Sequence, residues 1–153
     1  MPIVLTRIDN RLVHGQVGVT WTKTLGINLL VVANDDAAED KIQQQLMGVT
    51  AKSSGVGIRF FSIDKTAAVI DRAAPNQMIF LICKTPQDVR RLIDKGVKLK
   101  EVNVGNMHFS EGKRALTKKV YVDDQDYEDL KYIASKGVHV YIQDVPGDAK
   151  FEI

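Results

Sequence analysis

Short apolar runs alternate with amphipathic segments along the whole chain, and this alternation limits the possible folds more than any other feature of the sequence. Helical periodicity covers residues 16–25, 36–47, 64–73, 85–94 and 124–136. Between these segments lie seven candidate strands, most of them rich in Val, Ile, Leu or Phe as buried parallel strands are: residues 2–8, 27–33, 57–63, 77–82, 100–104, 118–122 and 138–143. The alternation predicts an α/β fold, an open and mostly parallel sheet of about seven strands with helices on both faces.

Residues at the ends of these segments refine the prediction. Asp35 and Asp36 precede the second helix as candidate N-caps, and Thr85 precedes the fourth. Residues 105–117 contain Gly and Ser and predict a loop, which leaves room for one antiparallel strand there. Residues 144–153 have no clear periodicity and predict an irregular tail.

Composition is typical of one soluble domain spanning residues 1–153, with 44% hydrophobic and 26% charged residues. The formal charge of +2 is too small to predict binding to nucleic acid or to a membrane surface. No apolar run approaches the ~20 residues of a membrane span, and the start of the chain lacks the features of a signal peptide. We therefore expect a cytoplasmic protein without direct membrane insertion. The lone Cys83 ends an apolar run and is expected to be a partly buried structural thiol.

The first strand-to-helix loop carries the reactive side chains that indicate chemistry. Its sequence is Arg7-Ile-Asp-Asn-Arg-Leu-Val-His14-Gly-Gln-Val. In a parallel α/β fold this loop opens at the carboxyl ends of the strands, where ligands bind. A helix N-terminus attracts anions such as phosphate, and a neutral imidazole is nucleophilic near pH 7. The coincidence predicts phosphoryl transfer at His14.

The same segment offers several groups that are candidates to bind a phosphoryl group. Arg7 and Arg11 can present forked, charge-assisted donors to phosphate oxygens. Further candidate donors are the backbone N–H groups that begin the helix, those of Gly15, Gln16 and Val17.

Other polar and aromatic residues have two interpretations each. Asp9 is either a turn former or a carboxylate that orients His14 or fixes the neighbouring arginine. His108 is a second acid–base group or a surface histidine, whereas His139 alternates with valines in a strand and is expected to face solvent. Trp21 is expected to be a core residue or a partner-facing anchor.

Several motifs are missing, and their absence argues against dinucleotide binding, direct use of ATP and metal binding. No G-x-G-x-x-G follows the first strand, and no Walker A motif is present. No cluster of Cys, His and carboxylate residues has the spacing of a metal site. The sequence predicts no cofactor and no metal.

The loop resembles the active loop of the IIB components of sugar phosphotransferase systems (PTS) of the mannose–fructose–sorbose family. Their pattern R-I-D-x-R-h-h-H-G-Q, with h apolar, is met at every specified position. The resemblance continues through residues 31–36, 85–88 and 102–105 and covers essentially the whole chain. It implies a mostly parallel open sheet with helices on both faces and a phosphotransferase activity.

The resemblance also implies a phosphoryl relay. His14 would accept the group from a histidine of a IIA protein or domain and pass it to a sugar as membrane IIC and IID subunits bring that sugar in. Arg7, Asp9 and Arg11 would assist at the site. Residues 105–112 and 143–147 are most similar to the N-acetylgalactosamine and galactosamine branches, which implies one of these sugars.

Two other functions use a similar loop. A histidine-dependent phosphatase or phosphomutase would need an arginine directly before the histidine, where this chain has Val13, and a second catalytic histidine, for which only His108 is available. A binding module for a phosphorylated metabolite would use the helix N-terminus without turnover. Covalent modification of His14 would distinguish the relay from the binding module.

Overall fold

The structure, a computed structural model, describes residues 3–153, and for residues 16–19 it describes the backbone alone. Strands and helices alternate over most of this range. A 3₁₀ turn, Ile70–Arg72, follows the third helix. In chain order the elements are β1 (Ile3–Asp9), α1 (Gly15–Leu25), β2 (Leu29–Ala33), α2 (Lys41–Ser53), β3 (Gly57–Phe61), α3 (Ile63–Val69), β4 (Ile79–Cys83), α4 (Pro86–Asp94), β5 (Glu101–Asn106), β6 (Arg114–Thr117), β7 (Val120–Val122), α5 (Asp124–Ser135), β8 (His139–Ile142) and β9 (Phe151–Glu152).

Seven of these strands form one sheet in the order β3-β2-β4-β1-β5-β8-β9. Neighbouring strands pair in parallel except β9, which runs antiparallel to β8. The predicted fold class, an open and mostly parallel sheet, is confirmed.

The sheet separates two apolar cores because alternate residues of each strand face opposite sides. On β2, Val31 belongs to the core under α3, α4 and α5, whereas Val32 belongs to the core under α1 and α2. The helices contribute buried residues to these cores in two groups: Ile63, Val89, Leu92, Leu130 and Ile133 on one face, and Trp21, Met47 and Ala51 on the other. Helices therefore cover both faces, as predicted.

The connections from three adjacent strands make a crevice at the carboxyl end of β1. The chain leaves β1 towards α1 on one face, but it leaves the flanking strands β4 and β5 towards α4 and α5 on the other. Opposite connections from neighbouring strands leave an opening between them, and ligands of open α/β sheets bind there.

Helix α2 begins later than predicted. Helical periodicity suggested residues 36–47, whereas the helix spans Lys41–Ser53. The prediction of Asp35 and Asp36 as its caps is wrong, because the side chain of Asp40 accepts a backbone N–H of the first turn at 3.1 Å.

A side-chain contact explains the displacement of α2. The Oδ1 atom of Asn34 accepts the backbone N–H of Ala37 at 2.9 Å. The bond closes a turn directly after β2 in competition with a helical start. Asp35, within this turn, accepts the N–H of Ile63 at 2.9 Å instead of capping α2.

Two predictions next to β4 are confirmed. The hydroxyl of Thr85 accepts the backbone N–H of Asp88 at 3.2 Å and caps α4. Cys83 is fully buried, and this burial raises the pKa of its thiol. A buried thiol with a raised pKa is a structural residue.

The chain between β5 and α5 differs from the prediction. Residues 118–122 were expected to add a strand to the main sheet, but β7 pairs antiparallel with β6 in a separate ribbon, and β6 lies where a loop was predicted. Backbone bonds of Met107 with Lys119 and Tyr121, each 2.9 Å, attach this ribbon to the end of β5. The segment predicted as an irregular tail instead contains β9. This strand has only two residues, both exposed, which are too few to show a periodic pattern in the sequence.

Candidate functional site

The carboxylate of Asp9, at the end of β1, joins the main groups of the loop. Its Oδ2 atom accepts from Nε and Nη2 of Arg7 at 3.2 and 3.1 Å and contacts Nε2 of His14 at 3.0 Å. Its Oδ1 atom accepts the backbone N–H of Arg11 at 2.9 Å. Asp9 has no exposed surface, and its two contacts with Arg7 are fully buried, whereas those with His14 and Arg11 are partly buried.

These contacts keep Asp9 ionised, and the ionised carboxylate determines which ring nitrogen of His14 carries the proton. Burial alone would raise the pKa of Asp9, but the hydrogen bond with His14, the charge of Arg7 and the N–H of Arg11 outweigh it and lower this pKa. A carboxylate only accepts hydrogen bonds, so Nε2 of His14 carries the proton. The lone pair of the neutral ring is then on Nδ1.

Arg7 is buried, and it connects Asp9 to the neighbouring strand β5 and to the chain after β8. Its Nη1 atom donates to Oδ1 of Asn103 at 2.6 Å and to the carbonyls of Gln143 and Asp144 at 3.2 and 2.8 Å. Burial lowers the pKa of Arg7. Because its donors point to protein acceptors, a positioning role suits Arg7 better than the direct phosphate contact expected from the sequence.

Gly105 and Trp21 form the walls around the Arg7 guanidinium. A Cβ atom on Gly105 would lie 1.9 Å from Cζ of Arg7, so only glycine leaves room at this point of β5. The ring of Trp21 lies 5.8 Å from the same Cζ, and its Nε1 donates to the carbonyl of Asp144 at 3.0 Å. Trp21 is 4% exposed. The prediction of a core residue is therefore confirmed, and the alternative prediction of an anchor that faces a partner is wrong.

Asn10 connects the loop to the chain after β4 and to β5, a role that the local sequence pattern does not predict. Its Nδ2 donates to the carbonyl of Lys84 and its backbone N–H to the carbonyl of Asn106, both at 2.9 Å. Its Oδ1 accepts the backbone N–H of His108. The imidazole of His108 is exposed, so this histidine supports the loop through its backbone.

The middle of the loop is anchored by apolar side chains. Leu12 and Val13 are 6% and 5% exposed and pack into the core under α1 and α2. Leu12 has a φ of 59°, in the left-handed region that costs a branched residue about 1–2 kcal/mol. Burial of the Leu12 side chain, a contribution of roughly 2 kcal/mol, offsets that cost.

His14 is the N-cap of α1 and lies at the mouth of the crevice. Its side chain is 20% exposed and makes no capping hydrogen bond, and no acidic residue lies in the first turn of α1. The N–H groups of Gly15, Gln16 and Val17 begin this helix and have no acceptor within it. The side chains of Gln16 and Val17 lie outside the described residues.

Arg11 differs from Arg7 in its surroundings. Its side chain is exposed. In the part of the chain whose side chains are described, no carboxylate pairs with its guanidinium. Because only two residues separate Arg11 from His14, its guanidinium is a candidate to bind an anion at the helix N-terminus.

His139 lies outside the loop after β1, and the described residues show no group of metal ligands. Nε2 of His139 is 2.6 Å from Oε2 of Glu152, on the surface between β8 and β9. Among the described residues, no three His, Cys or carboxylate side chains are grouped as metal ligands. Within residues 3–153 no helix combines the length and apolar character that a membrane span requires.

The loop geometry and the rest of the chain match one known family. The family model described as "PTS system sorbose subfamily IIB component" matches residues 3–153. The chain belongs to this family. It is therefore a phosphotransferase component that takes part in phosphoryl transfer to a sugar, and the resemblance of its loop to PTS IIB components is confirmed.

Individual relatives agree with this assignment. The chain is 67% identical to the N-acetylgalactosamine-specific phosphotransferase enzyme IIB component 1 of Escherichia coli K12, over 99% of this chain and 96% of that protein. The crystal structure of that IIB component 1 has a TM-score of 0.97 to this structure and covers 99% of both chains. The chain is also 35% identical to the mannose-specific EIIAB component of Escherichia coli K12, and it aligns in full with 47% of that longer protein.

Replacing Gly105 by Ala should displace the Arg7 guanidinium and release Asp9. We expect a loss of about 1–3 kcal/mol in the free energy of unfolding from overpacking, and phosphoryl transfer slower by about tenfold or more because the loop is misplaced. Urea unfolding and the rate of phosphorylation measure the two effects. Gly48→Ala is the matched control: a Cβ there contacts nothing within 4 Å, so α2 should gain stability. Unchanged transfer in Gly105→Ala would show that Arg7 need not keep this position.

The lowered pKa of Asp9 should make stability depend on pH. In the unfolded chain Asp titrates near about 3.9; ionised Asp9 therefore stabilises the fold fully above that value, and this contribution is lost as pH falls through the lower folded-state pKa. Asp9→Asn should cost about 3 kcal/mol at pH 7, because the buried Arg7 loses its nearer carboxylate and keeps only Asp144, at 3.7 Å, as an ionic partner. The difference from the unsubstituted chain should shrink on acidification in urea unfolding series. A difference that stays constant with pH would contradict the ionised pair, and Asp124→Asn, at an exposed position, should have little effect at any pH.

Proposed function

We propose that this chain is a phosphocarrier that accepts a phosphoryl group on Nδ1 of His14 from a IIA phosphohistidine. It then passes the group to N-acetylgalactosamine or galactosamine during uptake through membrane IIC and IID subunits. The observation that carries the proposal is the 3.0 Å contact between Nε2 of His14 and the buried Asp9 carboxylate. It leaves Nδ1 as the free nucleophilic nitrogen at the helix N-terminus.

The transfer step uses the lone pair of Nδ1. This atom attacks phosphorus, a new P–N bond forms, and the donor's P–N bond breaks with its electron pair returning to the donor imidazole. The phosphorylated ring of His14 still carries the Nε2 proton, so it gains positive character that the Asp9 carboxylate stabilises. In the second step a sugar hydroxyl oxygen attacks phosphorus and releases its proton to water, and the electron pair of the P–N bond returns to Nδ1.

Charge stabilisation around the moving phosphoryl group comes from the loop and the helix. Positioning and electrostatics dominate phosphoryl transfer because the protein has little covalent work to do. The N–H groups of Gly15, Gln16 and Val17 and the exposed Arg11 are the donors we assign to phosphate oxygens. Asp9 and the buried Arg7 hold these donors and His14 in register.

The choice of sugar and partners rests on the relatives. An N-acetylgalactosamine-specific component is 67% identical to this chain, which supports that sugar or galactosamine. The mannose-specific relative is named as an EIIAB component, which supports a IIA protein or domain as the phosphoryl donor. Relay to a sugar entering through IIC and IID places the chain at the cytoplasmic side of a membrane complex.

His14→Ala should abolish phosphorylation. Incubation with phosphoenolpyruvate, the general PTS proteins and a cognate IIA should add one phosphoryl group to the unsubstituted chain, stable in base and lost in mild acid, as intact mass will show. Nitrogen-15 NMR of the ring should place the group on Nδ1. His108→Ala and His139→Ala are the controls and should label normally. Full labelling of His14→Ala would exclude His14 as the acceptor, and rapid partner-free hydrolysis of a simple phosphate ester would favour a phosphatase.

Arg11→Ala should slow transfer from IIA by about 10²-fold, because it removes one charged donor from the transferring phosphoryl group. Arg11→Lys should recover part of the rate, since it keeps the charge but loses the forked geometry. Rapid-quench phosphorylation measures both variants. Arg59→Ala, at an exposed arginine of the edge strand β3, is the matched control and should transfer at the unsubstituted rate. An equal rate in Arg11→Ala would remove this side chain from the mechanism.

A further inference from the structure

Helix α2 presents a row of exposed apolar side chains to solvent. Ile42, Leu46 and Val49 are 73%, 66% and 69% exposed. Met47 and Ala51, on the opposite side of the same helix, are buried against the sheet. Contiguous exposed apolar surface of this kind marks an interaction site in soluble proteins.

The spacing of this row indicates a helix as its partner. Successive members are four and three residues apart, which is the spacing of the apolar seam between two packed helices. Ser53, four residues further, is small and exposed and continues the same line to the end of α2. The row therefore runs along most of the 13-residue helix.

We propose that the partner is a second copy of this chain, with the two α2 helices packed antiparallel about a twofold axis. The charges at the two ends of the helix favour this arrangement. Glu39 and Asp40 lie at its N-terminal end and Lys52 in its last turn. Antiparallel packing brings each acidic end against the basic end of the other copy, and it also aligns the two helix dipoles favourably.

One register satisfies the apolar and the charged residues together. With the twofold axis passing between positions 45 and 46, Ile42 of each copy lies opposite Val49 of the other. The same register sets Glu39 opposite Lys52. Both charged side chains are exposed, and in the described part of the chain neither forms an ion pair within its own copy. A twofold interface requires this kind of self-complementarity.

A depression beside the start of α2 fits the basic end of the partner helix. It has a volume of about 480 Å³ and is open to solvent. Its lining is mostly acidic, comprising Asp36, Glu39, Asp40, Lys41 and Ile42. Lys52 of the second copy would enter it in the proposed register.

The size of the interface sets the strength of the dimer. One helix of 13 residues from each copy buries less than the roughly 800 Å² per partner of a stable complex. The dimer should therefore be weak and should exchange with monomer. His14 lies on the loop before α1, outside the helix pair, so dimer formation leaves it accessible.

Sedimentation equilibrium of the full chain tests self-association from about 10 µM to about 1 mM, a range suited to weak dimers. The mass should rise from 17.0 kDa towards twice that value. Leu46→Glu should abolish the rise. Leu116→Glu, the same change at an exposed leucine of β6, should preserve it, and circular dichroism will confirm that both variants fold. A constant monomer mass, or dimers that survive Leu46→Glu, would overturn the proposal.

Charge reversal tests the antiparallel register. Glu39→Lys and Lys52→Glu should each weaken the dimer by about fivefold, because each reversal affects two symmetry-related pairs. The double variant should restore the original dissociation constant by exchanging the charges of each pair. A double variant as weak as the single variants would overturn the register. If the chain stays monomeric and Leu46→Glu instead impairs transfer from IIA or to membranes, the row binds a different protein and the proposal is wrong.

Discussion

The buried ion pair between Arg7 and Asp9 is the interaction on which the position of the loop after β1 depends. Each charge is costly to bury alone, at about 3–5 kcal/mol when a partner is removed, so each requires the other. Arg7 is also bonded to groups on β5 and beyond β8, while Asp9 is bonded to the loop and to His14. The pair therefore links the imidazole of His14 to the sheet. Through this link, buried contacts fix the position of a side chain that lies on a loop.

The apolar residues of the loop complement this polar network. Leu12 accepts an unfavourable left-handed backbone because its side chain is buried, and Val13 is buried beside it. Their packing turns the chain sharply between Asp9 and the start of α1. Hydrogen bonds at Asp9 and Asn10 thus fix one part of the loop, and burial of the apolar side chains of Leu12 and Val13 fixes the next part.

Much of this arrangement could be predicted from the sequence, because it depends on local patterns. The alternation of strands and helices predicts the sheet, and the loop motif brings His14, Asp9 and Arg11 to one helix N-terminus. The work of Arg7 could not be predicted in the same way, since its acceptors at Asn103, Gln143 and Asp144 are distant in sequence.

Other differences have the same physical origin. Gly105 was predicted only as the start of a loop, whereas it lies in β5 and leaves space for a guanidinium from another strand. Helix α2 was misplaced because the Asn34 side chain closes a turn where periodicity alone allowed a helix. The position of β9 depends on pairing with β8, which two exposed residues do not encode by themselves.

The carbonyl of Asp144 binds both Arg7 and Trp21, although it lies beyond the last long strand of the sheet. During synthesis, the first strand and its loop are made long before this carbonyl exists. Until the chain has grown past that residue, Arg7 lacks one of its acceptors and the histidine loop lacks its full support. Full support of the histidine loop is thereby linked to synthesis of the segment that follows β8, so the loop takes its final position late in folding although it is made early.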